Sequence, residues 1–312
     1  MKKIVVAGSL VADVTGYCPR FPVTGESVIG KALRFGAGGK GNNQATAAAR
    51  LGARVVMIGK MGSDLLSHVI SDHYRQENMD MAYIATSGIH ETGAAIIEVD
   101  ENGDNRIIIV KGANDELTAA EVARAEREFE SCELVLTQLE TGMEAVLECK
   151  RLAEKHKKPI IINPAPYQPV PDGLFEGIDY LTPNETETGY LTGLLPEDEA
   201  DCQTCAGKLL GFGVKNVIIT MGKKGAYWHD GKIGGMIPAT DLKPVDTTGA
   251  GDAFNGGLAV ALAAGAPLET AIQFANCVAS ISVTRYGSAP SMPKLGEALE
   301  LMARFYHKTI TT

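Results

Sequence analysis

Short apolar, β-branched runs recur along the chain at Ile4–Ala7, Val55–Ile58, Leu134–Leu136, Ile160–Ile162 and Val217–Thr220. Each has the length and residue type of a buried strand. Between them, Asn42–Leu51, Leu65–Gln76, Ala119–Phe129 and Met143–Glu154 place apolar residues at helical spacing. This alternation predicts an α/β fold, a mostly parallel central sheet flanked by helices on both faces, with ligands beyond the carboxyl ends of the strands. Two segments break the pattern, residues 14–35 and 93–111. In the second, Glu98-Val-Asp-Glu-Asn-Gly-Asp-Asn-Arg106 reads as a turn between two β runs. They predict a small separate β-sheet, which is either a lid that excludes water from a reaction or a plain hairpin. After Gly249 the pattern turns helical, at Ala250–Ala264, Leu268–Thr284 and Lys294–His307. No repeat or polar linker divides the sequence, so residues 1–312 read as one domain carrying a lid.

Composition narrows the function. A 312-residue chain that is 45% hydrophobic can fill a continuous core without disulfide or metal staples. Its 38 acidic and 29 basic residues give a formal charge of -9. That balance disfavours adhesion to nucleic acid or to an anionic membrane and favours a small-molecule partner. The apolar run at the start is short and is soon interrupted by Asp13, so it reads as a first strand and not as an export signal. No stretch approaches the roughly 20 apolar residues of a membrane helix, and a cytoplasmic location is expected. Six cysteines, at 18, 132, 149, 202, 205 and 277, read as reduced thiols. Cys202 and Cys205 lack the second ligand pair of a zinc site and read as ordinary helix residues.

The chemistry concentrates in four glycine-rich or polar segments that each come after an extended stretch. In Val245-Asp246-Thr247-Thr248-Gly249-Ala250-Gly251-Asp252-Ala253-Phe254, small residues let the backbone approach a ligand. The first helical N–H groups, unpaired within the helix, attract an anion. Asp252 in that first turn is either a base that activates an attacking hydroxyl beside an anion hole, or a helix cap.

The segment Phe35-Gly-Ala-Gly-Gly39-Lys40-Gly41-Asn42-Asn43-Gln44-Ala45 matches G-x-G-x-x-G by spacing, but it does not come directly after the first strand, where a dinucleotide site belongs. Its N–H groups, ammonium and amides suit a polyhydroxylated ligand. Asp13 and Glu140, each placed after a predicted strand, are candidates for the same pocket or are solvated loop carboxylates.

In Thr182-Pro183-Asn184-Glu185-Thr186-Glu187, Asn184 and Glu187 share a helix face and form either a site for hydrated Mg²⁺ or a capping box. Ile219-Thr220-Met221-Gly222-Lys223-Lys224-Gly225-Ala226 either cradles nucleotide phosphates or is a hairpin turn into Tyr227 and Trp228.

Together these segments resemble the ribokinase, or PfkB, family of sugar kinases from Ile4 to about Pro293. The two signature regions are Gly38–Ala45 and Asp246–Phe254; Gln138-Leu-Glu140, Asn163-Pro-Ala-Pro166, Thr182–Glu187 and Val283–Ser291 also stand in family order. The resemblance implies a three-layer ribokinase-like fold and transfer of the γ-phosphate of ATP to the 5-hydroxyl of a pentose. It makes Asp252 the base and Gly249, Ala250 and Gly251 the anion hole. Asp13, Gly39 to Asn43 and Glu140 would form the sugar pocket beneath the lid. Asn184, Thr220 to Gly225, Gly251 and Asn276 would face ATP, with Glu187 on Mg²⁺ and its waters. It also implies an activating K⁺ ion, at positions matching Asp246, Thr248, Ser282, Arg285, Gly287 and Ser291, and a homodimer paired through the lid.

One departure touches the substrate. Where ribokinases carry Asn two residues before the sugar-binding aspartate, Gly8-Ser-Leu-Val-Ala-Asp13 has Val11. Loss of that hydrogen-bonding partner weakens a preference for ribose over 2-deoxyribose, and Lys111-Gly-Ala-Asn114 and Thr220-Met-Gly222 also resemble the deoxyribokinase-like members. A nucleoside kinase needs aromatic stacking, for which Tyr17, Phe21 and Phe35 are the candidates. A non-catalytic sugar- or nucleotide-binding protein is the remaining alternative, against which the intact Asp252 and its glycine turn count.

Overall fold

The computed structural model describes residues 1–310. The first third of the chain forms β1 (Lys3–Ala7), β2 (Val11–Tyr17), β3 (Ala32–Gly38), α1 (Lys40–Arg50), β4 (Arg54–Met61), α2 (Leu65–Gln76), β5 (Tyr83–Thr86), β6 (Gly93–Val99) and β7 (Asn105–Val110). The middle adds α3 (Ala119–Ala123), α4 (Glu126–Ser131), β8 (Leu134–Gln138), α5 (Met143–Lys155), β9 (Ile160–Asn163), β10 (Tyr180–Leu181), α6 (Glu185–Thr192) and α7 (Glu199–Leu210). The last third holds β11 (Asn216–Thr220), β12 (Ala226–His229), β13 (Gly234–Ile237), α8 (Ala250–Ala263), α9 (Leu268–Ser282) and α10 (Leu295–Tyr306).

Nine strands make the central sheet in the order β13-β12-β11-β10-β9-β8-β1-β4-β5. All neighbours are parallel except β11–β12 and β12–β13. Because successive side chains point to opposite faces, Ile4 and Val6 enter one core, with Leu51, Phe254, Leu258 and Phe274. Val5 and Ala7 enter the other, with Phe129, Val146, Leu152 and Leu209. Both faces of β1 are dry, so the run from Ile4 to Ala7 is apolar without alternation. Each aliphatic or aromatic side chain fully buried this way contributes about 1.5–3 kcal/mol.

The segments that broke the pattern form a second sheet, ordered β3-β2-β6-β7. β2 runs parallel to β6, and the outer pairs are antiparallel. The β6–β7 turn closes on Asp100, whose carboxylate accepts the N–H groups of Asn102 and Asp104. β7 is exposed along its whole length.

Several local expectations change. Ala119–Phe129 is two helices, α3 and α4, separated at Arg124 and Ala125. α1 starts at Lys40, two residues earlier than its apolar spacing indicates, because Gly39, Lys40 and Gly41 carry no apolar side chain to mark the first turn. The short, partly polar β5 had no sequence signal. The hairpin reading of Thr220–Ala226 is realised, since β12 folds back antiparallel on β11. Cys202 and Cys205 are free thiols buried on α7. Among the described residues no helix is long and apolar enough to cross a membrane.

α1 and α8 approach closely at Gly256, where a Cβ would stand 2.5 Å from the Cβ of Ala47. A Gly256→Val substitution overpacks this contact and should destabilise the protein by about 1–3 kcal/mol. The measurement is the urea unfolding midpoint, and an unchanged midpoint contradicts the close packing.

Candidate active site

The loop from Val245 enters α8 through Gly249, whose φ of 76° is left-handed and glycine-favouring. A Cβ at Gly249 would lie 3.2 Å from Ser288. The turn leaves the N–H groups at the start of α8 without intrahelical acceptors, and the end of the helix favours an anion. Asp252 does not cap this helix. Its Oδ2 accepts the Asn43 side-chain amide at 2.9 Å and its Oδ1 accepts that of Gln44 at 3.0 Å, both from α1. Burial pushes the Asp252 carboxyl above the usual range, while the Lys40 charge and the two amides pull against it and Glu140 adds to it.

The start of α1 is tied to the end of β8. Glu140 accepts the Ser9 hydroxyl and, at 2.9 Å, the N–H of Lys40. Asp13 lies inside β2, not in the loop after a strand that the sequence predicts. Its carboxylate has room because position 38 is glycine: a Cβ there would stand 2.3 Å from Asp13 Oδ1. The Ser288 hydroxyl donates to Asp13 Oδ2 at 3.1 Å. Burial drives the Asp13 carboxyl up to about 6; the Ser288 bond opposes this, and the charges of Glu140 and Asp252 add to it. Lys40 is itself raised: burial works against its charge, but Asp252, Glu140 and Glu187 outweigh it.

Asn184 and Glu187 do form the capping box, with Asn184 Oδ1 accepting the Glu187 N–H at 2.8 Å and Glu187 Oε2 accepting the Asn184 N–H at 2.9 Å. The capping reading therefore holds, yet the same pair also faces the reaction cleft. A cavity of about 160 Å³ is lined by Lys40, Asn184, Glu187, Thr220, Asp252 and the backbone from Gly249 to Gly251. Glu187 is raised, first by burial, with the Asn184 N–H and Lys40 opposing and Asp252 and Glu185 adding.

Not every predicted residue meets this cleft. Asn42 has no exposed surface, and its side-chain amide has no protein partner. Met221 is buried against Cys202, Lys224 reaches the Glu197 carbonyl, and of the segment Thr220 to Gly225 only Thr220 lines the cavity. Asn276 lies apart, its amide donating to the carbonyls of Ile237 and Pro238 and to the Tyr306 hydroxyl.

Of the residues assigned to a monovalent cation, Thr248 and Gly287 meet Asp246 directly. Its carboxylate accepts the N–H groups of Thr248 and Gly287, each at 2.9 Å, and these hold it below the usual range against a desolvation that would raise it. The Ser282 and Ser291 hydroxyls bond to the carbonyls of Ala279 and Ser288, and the Arg285 guanidinium pairs with Glu297.

Five buried polar residues without an assigned role support the site: Gln44, Gln138, Asn163, Thr182 and Asn255. Ser9 and Ser288 are two more. The available signal was a polar residue directly after an apolar strand, as at Gln138 and Asn163, where a strand hands its chain to the ligand-bearing end of the sheet.

Residues 1–295 match the pfkB family of carbohydrate kinases. The chain is 40% identical to the ribokinase of Bacillus subtilis, over 97% of this chain and 100% of that protein. It is 34% identical to a deoxyribokinase of Salmonella typhi, over 96% and 98%. It superposes on the structure of Arabidopsis thaliana ribokinase complexed with ribose and ATP with a TM-score of 0.89 at 31% identity, over 97% of this chain and 99% of that one.

Asp13 yields a stability prediction with a definite sign. Its folded pKa of about 6 exceeds the ordinary 3.8, so the folded state holds the proton more tightly. Stability therefore falls as pH rises from about 4 to 6. The Asp13→Asn protein should unfold at a higher urea concentration than the wild type at pH 8, by up to roughly 3 kcal/mol. The two curves should converge below pH 4, and a variant no more stable at pH 8 contradicts the desolvation account.

Proposed function

The chain belongs to the pfkB family of carbohydrate kinases, and from that premise we propose that it transfers the γ-phosphate of ATP to the 5-hydroxyl of a pentose, D-ribose in the first place. The observation that carries this is the buried Asp252 carboxylate standing in the first turn of a helix whose start favours an anion, with its two oxygens held by amides of the neighbouring helix.

In this reading Asp13, Asn43 and Glu140, with the backbone at Gly39 to Gly41, bind the sugar hydroxyls through acceptors and donors in fixed positions. Asp252 takes the proton of the attacking hydroxyl, a step worth typically 10²–10⁴ in rate. The N–H groups from Gly249 to Gly251 meet the charge of the moving phosphoryl group, which needs positioning and electrostatic stabilisation more than covalent help. Lys40 adds a cation to the same cleft. The ATP polyphosphate runs past Asn184, Thr220 and the turn to Gly225, and Asn276 meets its base after releasing one of its present acceptors.

Three carboxylates, Glu140, Glu187 and Asp252, act on the Lys40 ammonium, and Asp13 feels the charges of two of them, Glu140 and Asp252. An anionic nucleotide entering such a cleft needs a compensating cation. Glu187, a carboxylate on the cavity wall, fits a hydrated Mg²⁺ carried by the phosphates, since that ion is usually held by one or two carboxylates together with phosphate oxygens and waters. When bound, the ion neutralises phosphate charge. The Asp246 carboxylate, with the oxygens of Thr248, Ser282, Arg285, Gly287 and Ser291, offers an oxygen-only set suited to K⁺. Arg285 would contribute its carbonyl, since its guanidinium is paired.

The four-stranded sheet is read as the lid. Val14, Phe35, Ile96 and Ile108 align across its strands on the face opposite Asp13, and Phe35, Ile96 and Ile108 are exposed. This apolar outer row supports a homodimer formed through the lid. The free cysteines agree with a cytoplasmic location.

A nucleoside finds little support: Phe35 lies on the outer face, Tyr17 lies under Arg34, and Phe21 lies under Arg106. The second reading is 2-deoxyribose, favoured by Val11, which is apolar, buried and two residues from Asp13 on the same face of β2.

ADP release with Mg-ATP and K⁺ across ribose, 2-deoxyribose, adenosine and fructose 6-phosphate tests the assignment, and turnover should be confined to the two pentoses. Asp252→Asn should lower kcat at least 10²-fold while leaving ATP binding intact; near-normal turnover removes Asp252 from its role. Val11→Asn should raise the ratio of ribose to 2-deoxyribose turnover, and an unchanged ratio discards the Val11 argument.

A further inference from the structure

Beside Asp252, side-chain amides form a chain that anchors on a backbone carbonyl, and its members Asn163, Thr182 and Asn255 line the same cavity as Asp252. Asn163, at the end of β9, donates its amide to the Thr182 carbonyl at 2.9 Å. A carbonyl only accepts, so the Asn163 NH₂ faces it and the Asn163 Oδ1 faces the other way, toward Gln44. The Gln44 NH₂ donates to that Oδ1 at 3.1 Å and to Asp252 Oδ1 at 3.0 Å. Its Oε1 accepts the Gln138 amide, at the end of β8, at 2.7 Å. On the far side the Thr182 hydroxyl donates to Asn255 Oδ1 at 2.6 Å, and the Asn255 amide donates to the Gly251 carbonyl at 2.8 Å. Gln44 and Gln138 have no exposed surface.

Turning the Gln44 amide over would set its oxygen against both the Asp252 carboxylate and Asn163 Oδ1, and its NH₂ against that of Gln138. Every contact would be lost at once, leaving buried polar groups unpaired. The amide is thus locked with its N–H toward the base.

We infer that Gln44 is a positioning residue for the phosphoryl transfer, fixing which lone pair of Asp252 is left to receive the proton of the acceptor hydroxyl. The inference rests on Asp252 being the base. Gln44 donates to Oδ1, Asn43 donates to Oδ2, and the lone pairs that remain are those turned to the cleft. Because an amide N–H cannot accept, the same bond favours the ionised carboxylate against burial. The charged and titratable groups facing Asp252 are Lys40 on α1, Glu140 after β8, Asp13 on β2 and Glu187 on α6. Gln44 acts on the base without adding charge to this set.

The test compares pH profiles of kcat for the wild type, Gln44→Met, which keeps the shape and removes the donor, and Gln44→Glu, which sets a second carboxylate against the first. The acid limb should move up by about one pH unit in Gln44→Met and further in Gln44→Glu. At pH values below the wild-type acid limb kcat should fall on the order of tenfold in Gln44→Met and largely recover above the shifted limb, with KM for sugar and ATP within about twofold of wild type. A folded variant whose acid limb stays at the wild-type pH overturns the proposal.

A measurement on the wild-type protein decides the matter if neither variant folds. The Gln44 side-chain N–H resonances should shift with the titration of Asp252, and resonances that ignore it overturn the inference. Asp252→Asn separates the two readings: full activity in that variant sinks the assignment of the base, whereas an inactive variant beside an unmoved Gln44→Met limb sinks only the role of Gln44.

Discussion

A carboxylate removed from water is tolerated only where donors replace the water, and the site is organised around meeting that demand at Asp252. Its donors come from the first turn of α1 and the carboxylate itself from the first turn of α8, so the two helices must start side by side. That pairing needs a close approach further along, which Gly256 against Ala47 provides. It also aligns two helix starts at the carboxyl edge of the parallel sheet, where their unpaired N–H groups face the same cleft. The desolvation that makes Asp252 expensive to bury also makes it a stronger base than an aspartate in water.

The second sheet and the loop around Asp246 are joined to this centre through few side chains. Ser288 packs against Gly249 at the head of α8 and donates to Asp13 on β2. Its neighbour Gly287 donates to Asp246. The loop at Asp246, the start of α8 and strand β2 are therefore linked through two adjacent residues, Gly287 and Ser288. A change in any one of them is felt by the others through direct contacts, with no long path required.

How much was legible before folding differs by element, for identifiable reasons. The buried strands β1, β8, β9 and β11 stood out because both of their faces are dry, which makes the whole run apolar. α8, α9 and α10 stood out because each has a long helical period and a glycine- or proline-containing approach. β5 escaped because an edge strand with half-polar residues carries no period, and α3 and α4 merged because a break at Arg124 and Ala125 leaves the apolar spacing intact. Asp13 was expected in a loop, yet glycine at 38, a poor strand former in isolation, leaves room for the carboxylate within β2. Asn42 and Asn43 looked equivalent in sequence. One helical step apart, one is sealed in the interior and the other bonds the Asp252 carboxylate.

The order of apolar runs and glycine-rich helix starts was enough to determine the α/β class, the extra sheet and the residue types that gather at one end of it, because these depend on periodicity and backbone freedom, which are local properties. What the sequence could not decide is which oxygen faces which donor. Whether Asp252 caps its own helix or is held by another, whether Asn184 and Glu187 only cap or also face the cleft, and which of the buried amides meets Asp252 depend on contacts between positions as far apart as Gln44 and Asp252. Those contacts exist only once the sheet has brought the two helix starts together, and tertiary packing settled them.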